Sequence, residues 1–290
     1  MEKRKELLKP KNDIVFQSLF TQKNERITKN FISAIMEENI TKIEINTEKE
    51  LYRERPEDKL GILDLEAEIN DREKIDIEVQ LIDRKNIIER MLFYFSKLYT
   101  NTIDKGDDYV KAKRVVIIAI IDYQFELTNG IKEMETVWNI MERKNRELML
   151  TDKLELRIIE LNKAREEYEK DKTNKKAQWM MFINDPNEGE VQEIMNENKE
   201  IEEAVVVIKE MTEDEKLERL AMLRQKAIMD EKAIYAAGLD KGELRGKEVG
   251  IKEGEKRKQL EVAKKMKKEG LPLDLIQKIT ELTKEEIEKL

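Results

Sequence analysis

One uninterrupted apolar segment constrains the fold of this chain more than any other feature. Residues 114–121 read Arg-Val-Val-Ile-Ile-Ala-Ile-Ile, without a polar side chain after the first position. A strand with one face in water alternates apolar and polar residues, whereas a continuous apolar run is typical of a strand buried on both faces. The segment therefore predicts an α/β protein with a covered sheet, and it argues against a purely helical assembly protein.

The surrounding segments predict helices and further strands. Asn12 or Asp13 would cap a first short helix over residues 13–20, and a second helix follows over residues 26–37. A long helix over residues 85–103 lies between a strand-like segment and the apolar segment, which implies a parallel crossover. The other expected elements are strands over residues 41–46, 135–143 and 154–161, a helix over residues 175–183 and a highly charged helical region from Gly189 onward.

Two strand-like segments, residues 61–69 and 74–81, alternate apolar and acidic residues on either side of a turn-forming segment. Matching their apolar faces sets a register with the pairs Leu63–Val79, Leu65–Ile77 and Ala67–Ile75. The same register places Asp64 opposite Glu78, with Cβ atoms roughly 5 Å apart. Two carboxylates that close repel each other unless a proton or a cation lies between them. We therefore expect Asp64 and Glu78 to bind a divalent metal ion.

Neighbouring groups on this hairpin would complete the site. The backbone carbonyl of Val79 is a candidate third ligand, and the Gln80 amide would orient an attacking water or contact a phosphate. Gln80 cannot accept a proton, so the identity of the general base stays open. Three further acidic residues share this face and are expected to be exposed to solvent or, at most, to contact the ligands: Glu66, Glu68 and Asp76. An exposed acidic face is also ordinary in a chain whose residues are 41% charged.

The absence of histidine and cysteine narrows the chemistry. Ser–His and Cys–His catalysis are excluded, and so is a zinc site with thiolate or imidazole ligands. A metal ion would have oxygen ligands, which favours Mg²⁺, with Mn²⁺ or Ca²⁺ as alternatives. Without disulfides, a visible secretory signal or an apolar segment long enough for a bilayer, we expect a cytoplasmic protein that does not interact with membranes.

The charge of the chain is distributed unevenly. The net charge of −8 is a poor match to a nucleic-acid-binding protein taken as a whole. Residues 252–268, however, hold eight basic and three acidic side chains, which makes a local positive stretch. Such a stretch is either a solvated helix face or a contact surface for an acidic partner.

Regularly spaced glycines mark the C-terminal region. Gly238, Gly242, Gly246, Gly250 and Gly254 recur every four residues. Each one costs a helix about 1 kcal/mol relative to alanine, so the spacing favours either close helix–helix association or a flexible linker. The first alternative predicts a homo-oligomer formed through this region.

The last residues of the chain predict a small helical hairpin. Residues 271–280 and 282–287 both have helical patterns, and Thr283 with Glu286 forms a capping-box sequence. Helical hairpins of this size either bind DNA or serve as packing modules.

Several short motifs, in this order and spacing, resemble a known family. They are Lys11-Asn12-Asp13-Ile14-Val15-Phe16, Gly61-Ile62-Leu63-Asp64, Ile77-Glu78-Val79-Gln80, and Arg90 four residues before Tyr94. Asp64 followed by Glu78-Val79-Gln80 resembles the PD-(D/E)XK nuclease signature, with Gln80 in the place of the usual lysine. The whole set, with the glycine-spaced tail, resembles the recombination-promoting nuclease (Rpn)/transposase branch of that superfamily.

The resemblance implies a restriction-endonuclease-like mixed β-sheet core flanked by helices, followed by a charged helical C-terminal extension. It implies a Mg²⁺-dependent DNA endonuclease, connected with recombination or with the processing of mobile elements or foreign DNA. Asp64 and Glu78 would be the metal ligands and Gln80 an active-site residue. Asp13 would either approach the metal site or only cap its helix, and Arg90 would either contact a phosphate or pair with a carboxylate.

The resulting domain prediction has four parts. Residues 1–185 form the nuclease-like domain and residues 186–237 a helical region, followed by a helical or flexible linker over residues 238–269 and the hairpin over residues 270–290. A second hypothesis assigns the chain to a catalytically inactive nuclease-fold module that acts in self-association or in binding a partner.

Overall fold

A computed structural model describes residues 5–46 and 64–290 of the chain. Within these ranges the structure has six strands and ten α-helices. The strands are β1 (Ile43–Asn46), β2 (Leu65–Ile69), β3 (Glu73–Gln80), β4 (Arg114–Ile121), β5 (Glu135–Met141) and β6 (Met149–Glu160). The helices are α1 (Asp13–Leu19), α2 (Glu25–Met36), α3 (Ile87–Thr100), α4 (Ala164–Lys170), α5 (Lys175–Asn184), α6 (Gly189–Glu197), α7 (Lys199–Glu213), α8 (Glu215–Lys268), α9 (Leu273–Thr280) and α10 (Lys284–Glu288).

The strands form one mixed sheet in the order β1-β2-β3-β4-β6-β5. Strands β1, β2 and β3 are antiparallel neighbours, β3, β4 and β6 are parallel, and β5 is antiparallel to β6. The apolar segment is strand β4, and every residue from Val115 to Ile121 is buried. The expected α/β fold, the parallel crossover through α3 and the doubly covered strand are therefore confirmed.

The hairpin of β2 and β3 has the predicted register. Leu65 pairs with Ile77 and Ala67 pairs with Ile75; the third expected pair includes Leu63, which lies outside the described residues. Asn70 and Asp71 both have positive φ angles, 50° and 58°. Three residues, Asn70 to Arg72, connect the paired residues Ile69 and Glu73, and Asn and Asp tolerate positive φ angles better than most residues do.

The two faces of the sheet are covered by different helices. Helices α1, α2, α5, α6 and α7 bury one face in the larger hydrophobic core, where the Phe31 ring lies 4.3 Å from that of Phe20 and 5.4 Å from that of Trp179. Helix α3 packs on the other face, with Met91 and Leu98 against β4. Because residues alternate between the faces of a strand and Ile75, Ile77 and Val79 lie in the larger core, Asp76 and Glu78 point to the side that carries α3.

The chain divides into two compact units, Met1–Ile228 and Met229–Leu290. The core of the first unit includes residues of α6 and α7, such as Val191 and Ile201, and extends to Ile228 at its end. The four domain limits inferred from the sequence stay a prediction.

The glycine-spaced segment is helical throughout, as part of the 54-residue helix α8. Apart from the adjacent residues and the backbone of the same helix, no atom of residues 5–46 and 64–290 lies within 4 Å of a Cβ atom built on any of its five glycines. In the second unit, the end of α8 packs with α9 and α10 around Ile276, Leu282 and Ile287, and the capping box of Thr283 and Glu286 is present. None of the described helices is both long and apolar enough to span a membrane.

Candidate active site

Asp64 lies immediately before β2 and is fixed by two hydrogen bonds. Its Oδ2 atom accepts from the Val79 backbone N–H at 2.8 Å, and its Oδ1 atom accepts from Gln17 Nε2 at 3.0 Å. Only 8% of Asp64 is exposed. The carboxylate is therefore bound to the strand that carries Glu78 on one side and to helix α1 on the other.

The backbone of Val79 presents its carbonyl toward the side where Asp64 lies. The N–H and C=O groups of one strand residue point to the same lateral side, and successive residues alternate. Gln80 O faces β4, where it accepts from Asp122 N at 3.0 Å, whereas the Val79 N–H faces Asp64. The Val79 carbonyl therefore also faces Asp64, which is the orientation that a shared cation would require.

Glu78 is 2% exposed and carries both a satisfied and an unsatisfied oxygen. Its Oε2 atom accepts from Arg90 Nη2 at 3.0 Å and from Gln80 Nε2 at 3.2 Å. Its Oε1 atom is buried and has no hydrogen-bond partner among the described residues. Of the two contacts expected for Arg90, the one with a carboxylate is present.

Asp76 corrects one expectation from the sequence. It shares the acidic face, as predicted, but it is fully buried rather than exposed. Within residues 5–46 and 64–290, neither of its carboxylate oxygens has a hydrogen-bond partner. The reason is tertiary: helix α3 packs on this face and removes water from it, and alternation within a strand gives no information about what covers each face.

The other two acidic residues of this face are partly exposed and pair with lysines. Glu66 Oε1 lies 3.8 Å from Lys74 Nζ, and Glu68 forms an ion pair with Lys113. Both side chains are partly exposed, as expected, and both lie nearer to the turn of the hairpin than Asp64 and Glu78 do.

Burial raises the pKa of three carboxyl groups at the site. It raises the pKa of Asp64 to about 7, and the charge of Glu78 adds to the shift while the hydrogen bond from Val79 opposes it. Burial also raises the pKa of Glu78, against the charge of Arg90. The pKa of Asp76 lies well above its ordinary value because of burial and, next, the charge of Glu78. Three acids that destabilise one another's charge form a region that favours a cation.

Asp13 is bound to the beginning of α8. Arg224 Nε lies 2.9 and 2.7 Å from the two carboxylate oxygens of Asp13, and Arg224 Nη2 lies 2.6 Å from Oδ2. The helix cap is Asn12, whose side chain accepts from Ile14 N, although Asp13 Oδ1 accepts from the same N–H. The charge of Asp13 contributes to the raised pKa of Asp64, so the two carboxylates are within electrostatic range.

The donor set fits a hard divalent cation. No three acidic side chains among residues 5–46 and 64–290 are grouped as a ready-made metal site. A Mg²⁺ site in a nuclease does not need three, because this ion retains several waters and is usually bound by one or two carboxylates. The buried, unpaired Oε1 atom of Glu78 and the oriented carbonyl of Val79 are oxygen donors of the required kind.

A mixed sheet with paired acidic residues where β2 begins and β3 ends is characteristic of the PD-(D/E)XK nuclease class. The chain belongs to the family described as PD-(D/E)XK nuclease family transposase, whose model matches residues 10–238. The family suggests a nuclease that acts on DNA, and PD-(D/E)XK nucleases typically use divalent metal ions. No curated protein and no solved structure matches the chain.

Three residues of this region were not identified as functional from the sequence. Gln17 and Arg224 contact Asp64 and Asp13 from elements that are 47 and 211 positions away, respectively, and no local pattern indicates such pairs. Tyr94 lies four residues after Arg90 on α3, with the guanidinium carbon 5.5 Å from the ring centre. Residues four apart lie on one face of a helix, so the sequence spacing alone could have indicated that Arg90 and Tyr94 belong to the same site.

Proposed function

We propose that this protein is a metal-dependent endonuclease that hydrolyses phosphodiester bonds in DNA. The observation that carries the proposal is the pair of buried acids Asp64 and Glu78, in a chain of a nuclease family. One oxygen of Glu78 has no hydrogen-bond partner in the described part of the chain. A buried carboxylate oxygen without a partner is costly, and a cation or a proton removes that cost.

Asp64, Glu78 and the Val79 carbonyl would hold the ion. A divalent cation at this position would polarise a phosphoryl oxygen and lower the pKa of a water molecule. We propose Mg²⁺ as the ion, with Mn²⁺ or Ca²⁺ as alternatives, because the ligands are all oxygen atoms.

The remaining polar residues of the site position the substrate. Gln80 Nε2 is a neutral donor beside Glu78 and would orient the attacking water or bind a phosphate oxygen. Arg90 is paired with the same carboxylate, which is the second of the two roles expected for it, so we do not assign it to the DNA phosphate. Asp13 acts on Asp64 through its charge. The chain has no histidine, so the proton released from water leaves through another acceptor, such as a carboxylate or the solvent.

The family description supports the biological role that we propose. A DNA endonuclease of a transposase family would act in recombination or in processing mobile or foreign DNA. We also propose a homo-oligomer formed through the C-terminal helical region, because none of the described residues packs on the glycine positions of α8.

Cleavage of supercoiled plasmid DNA tests the proposal. The wild-type protein should convert the plasmid to nicked or linear forms with Mg²⁺ and not with EDTA, and Asp64→Asn should abolish the conversion. The matched control is Asp71→Asn, which changes the same residue type at the exposed turn of the same hairpin, where Asp71 pairs with Lys42. Cleavage by Asp64→Asn at the wild-type rate would exclude this site from the reaction.

A second candidate function is a catalytically inactive nuclease-fold module that acts in self-association or in binding a partner. Two observations favour it: Arg90 already neutralises Glu78, and glutamine replaces the usual lysine. A folded, oligomeric wild-type protein that cleaves no DNA with either Mg²⁺ or Mn²⁺ would support this alternative over the first.

A further inference from the structure

Arg90 has an unused donor inside the protein. A guanidinium group has five N–H donors and cannot lose its charge in a protein. Arg90 Nη2 donates to Glu78, but its Nε atom is buried and has no partner among the described residues. A buried guanidinium donor without an acceptor is unfavourable, so another acceptor within reach would be used when the first contact is disturbed.

Among the described residues, Asp76 has buried acceptor atoms that lack donors, whereas Arg90 has a buried donor that lacks an acceptor. Both of its carboxylate oxygens are buried and unpaired in the described part of the chain. It precedes Glu78 by two positions on β3, so both side chains point to the face that α3 covers. Arg90 is a cation that lowers the pKa of Asp76, against the larger effects of burial and of Glu78, so its charge reaches this carboxyl.

A cation on Glu78 would compete with Arg90. The guanidinium and a divalent ion repel each other, and Glu78 cannot fully satisfy both. Residues two apart on a strand are separated by roughly 7 Å along it, a distance that the long arginine side chain can cover by changing its torsion angles. After such a move, Arg90 and Asp76 would each have a buried partner, and Glu78 would be free for the ion.

We propose that Asp76 is a positioning residue that receives Arg90 when a divalent cation binds Glu78. Arg90 acts as the built-in counter-ion of Glu78 in the metal-free protein and becomes the counter-ion of Asp76 in the metal-bound protein. Asp76 is thus not a metal ligand, but it sets how readily Glu78 becomes available. This inference rests on the proposed metal dependence of the same site.

A double-mutant cycle on metal binding tests the exchange. Mn²⁺ affinity is measured by titration calorimetry for the wild type, Asp76→Asn, Arg90→Gln and the double variant. Asp76→Asn should weaken Mn²⁺ binding by about tenfold in the wild-type background, because Arg90 then has no charged acceptor after leaving Glu78. In the Arg90→Gln background the same substitution should change the affinity less than about twofold, because there is no guanidinium to relocate.

The matched control is Glu66→Gln, which removes a negative charge from the residue paired with Asp76 across the hairpin. It should leave Mn²⁺ affinity within about twofold of the wild type, since Glu66 already pairs with Lys74. Circular dichroism and urea unfolding of each variant confirm that the proteins compared are folded.

Two results of the cycle would overturn the inference. An equal loss of affinity in both backgrounds would mean that Asp76 acts on the ion directly, and no loss in the wild-type background would mean that it has no role. If the wild type cleaves DNA and binds Mn²⁺ but shows no coupling, only this inference fails. If it binds no Mn²⁺ at all, the proposed metal dependence fails with it.

A crystal structure of the wild type with Ca²⁺ gives an answer even if Asp76→Asn does not fold. The expected result is a guanidinium of Arg90 hydrogen-bonded to Asp76, with Glu78 bound to the ion. Arg90 still bound to Glu78 in the metal-loaded protein would contradict the exchange.

Discussion

The backbone N–H of Val79 donates to the carboxylate of Asp64 at 2.8 Å. This hydrogen bond joins the two halves of the acidic pair, because Val79 is the residue directly after Glu78. Asp64 lies outside the regular ladder of β2, whose first residue is Leu65, so its side chain supplies the acceptor. The Asp64 carboxylate therefore has both a structural role and a proposed catalytic role. Substitution by alanine or by asparagine distinguishes the two roles.

Asp64→Ala and Asp64→Asn should differ in stability but not in activity. Both remove the carboxylate and should abolish plasmid cleavage. Alanine also leaves the buried Val79 N–H without an acceptor, whereas the asparagine oxygen can still accept. We expect the alanine variant to be less stable than the asparagine variant by about 1–3 kcal/mol, measured by urea unfolding. Equal stability of the two variants would show that the hydrogen bond contributes nothing.

The stability of the metal-free protein should depend on pH through Asp64. Its pKa is about 7 in the folded protein against an ordinary value of 3.8, so the folded state binds a proton more tightly than the unfolded state. The stabilisation is fully present below pH 3.8 and is lost as the pH rises through 7. The rise of this pKa from 3.8 to about 7 corresponds to about 4 kcal/mol over the whole window.

Urea unfolding in EDTA between pH 5 and pH 8 measures this effect. The free energy of unfolding of the wild type should fall relative to that of Asp64→Asn as the pH rises, because asparagine does not titrate. Parallel pH profiles for the two proteins would contradict a raised pKa at Asp64.

Two truncated proteins test which residues the folded nuclease core requires. A protein ending at residue 237 should keep the circular dichroism spectrum and cooperative unfolding of a folded nuclease core, since Ile228 is the last residue of that core. A protein ending at residue 185 should lose cooperative unfolding, because it lacks Val191, Ile194 and Ile201, all of them buried. Cooperative unfolding of the shorter fragment would show that α6 and α7 are not needed.

The glycine-spaced face of α8 should be where two copies of the chain associate. Sedimentation analysis should show a dimer or a larger assembly for the full-length protein and a monomer for the protein ending at residue 237. Gly246→Leu should weaken the assembly, since a large side chain prevents close backbone approach. The matched control is Val262→Ala on the same helix, outside the glycine segment. A monomeric full-length protein would contradict this proposal.

The elements of the sheet were predictable where their cause is local. Strand β4 follows from its own apolar composition, and the register of Leu65 with Ile77 follows from matching the apolar faces. The capping box at Thr283 follows from residues that are only three positions apart. In each case the deciding interactions involve neighbours along the chain or across one turn.

The environment of the candidate site was not predictable, because its causes are distant in sequence. Asp76 was expected to be exposed or, at most, in contact with the ligands, and it is buried because α3 covers it. Whether Arg90 would contact a carboxylate or a phosphate depended on how α3 docks on the sheet. The roles of Asp64, Glu78, Gln80 and Arg90 in catalysis stay predictions that the variants above test.

The contact between Asp13 and Arg224 has a consequence for how the protein is made. A ribosome synthesises Arg224 some two hundred codons after Asp13, so the nascent chain carries the acidic residues of the hairpin long before this ion pair can form. The ion pair of Asp13 can therefore form only after Arg224 has been synthesised. A prematurely terminated product would have Asp64 and Glu78 in its sequence but would lack the arginine that neutralises Asp13.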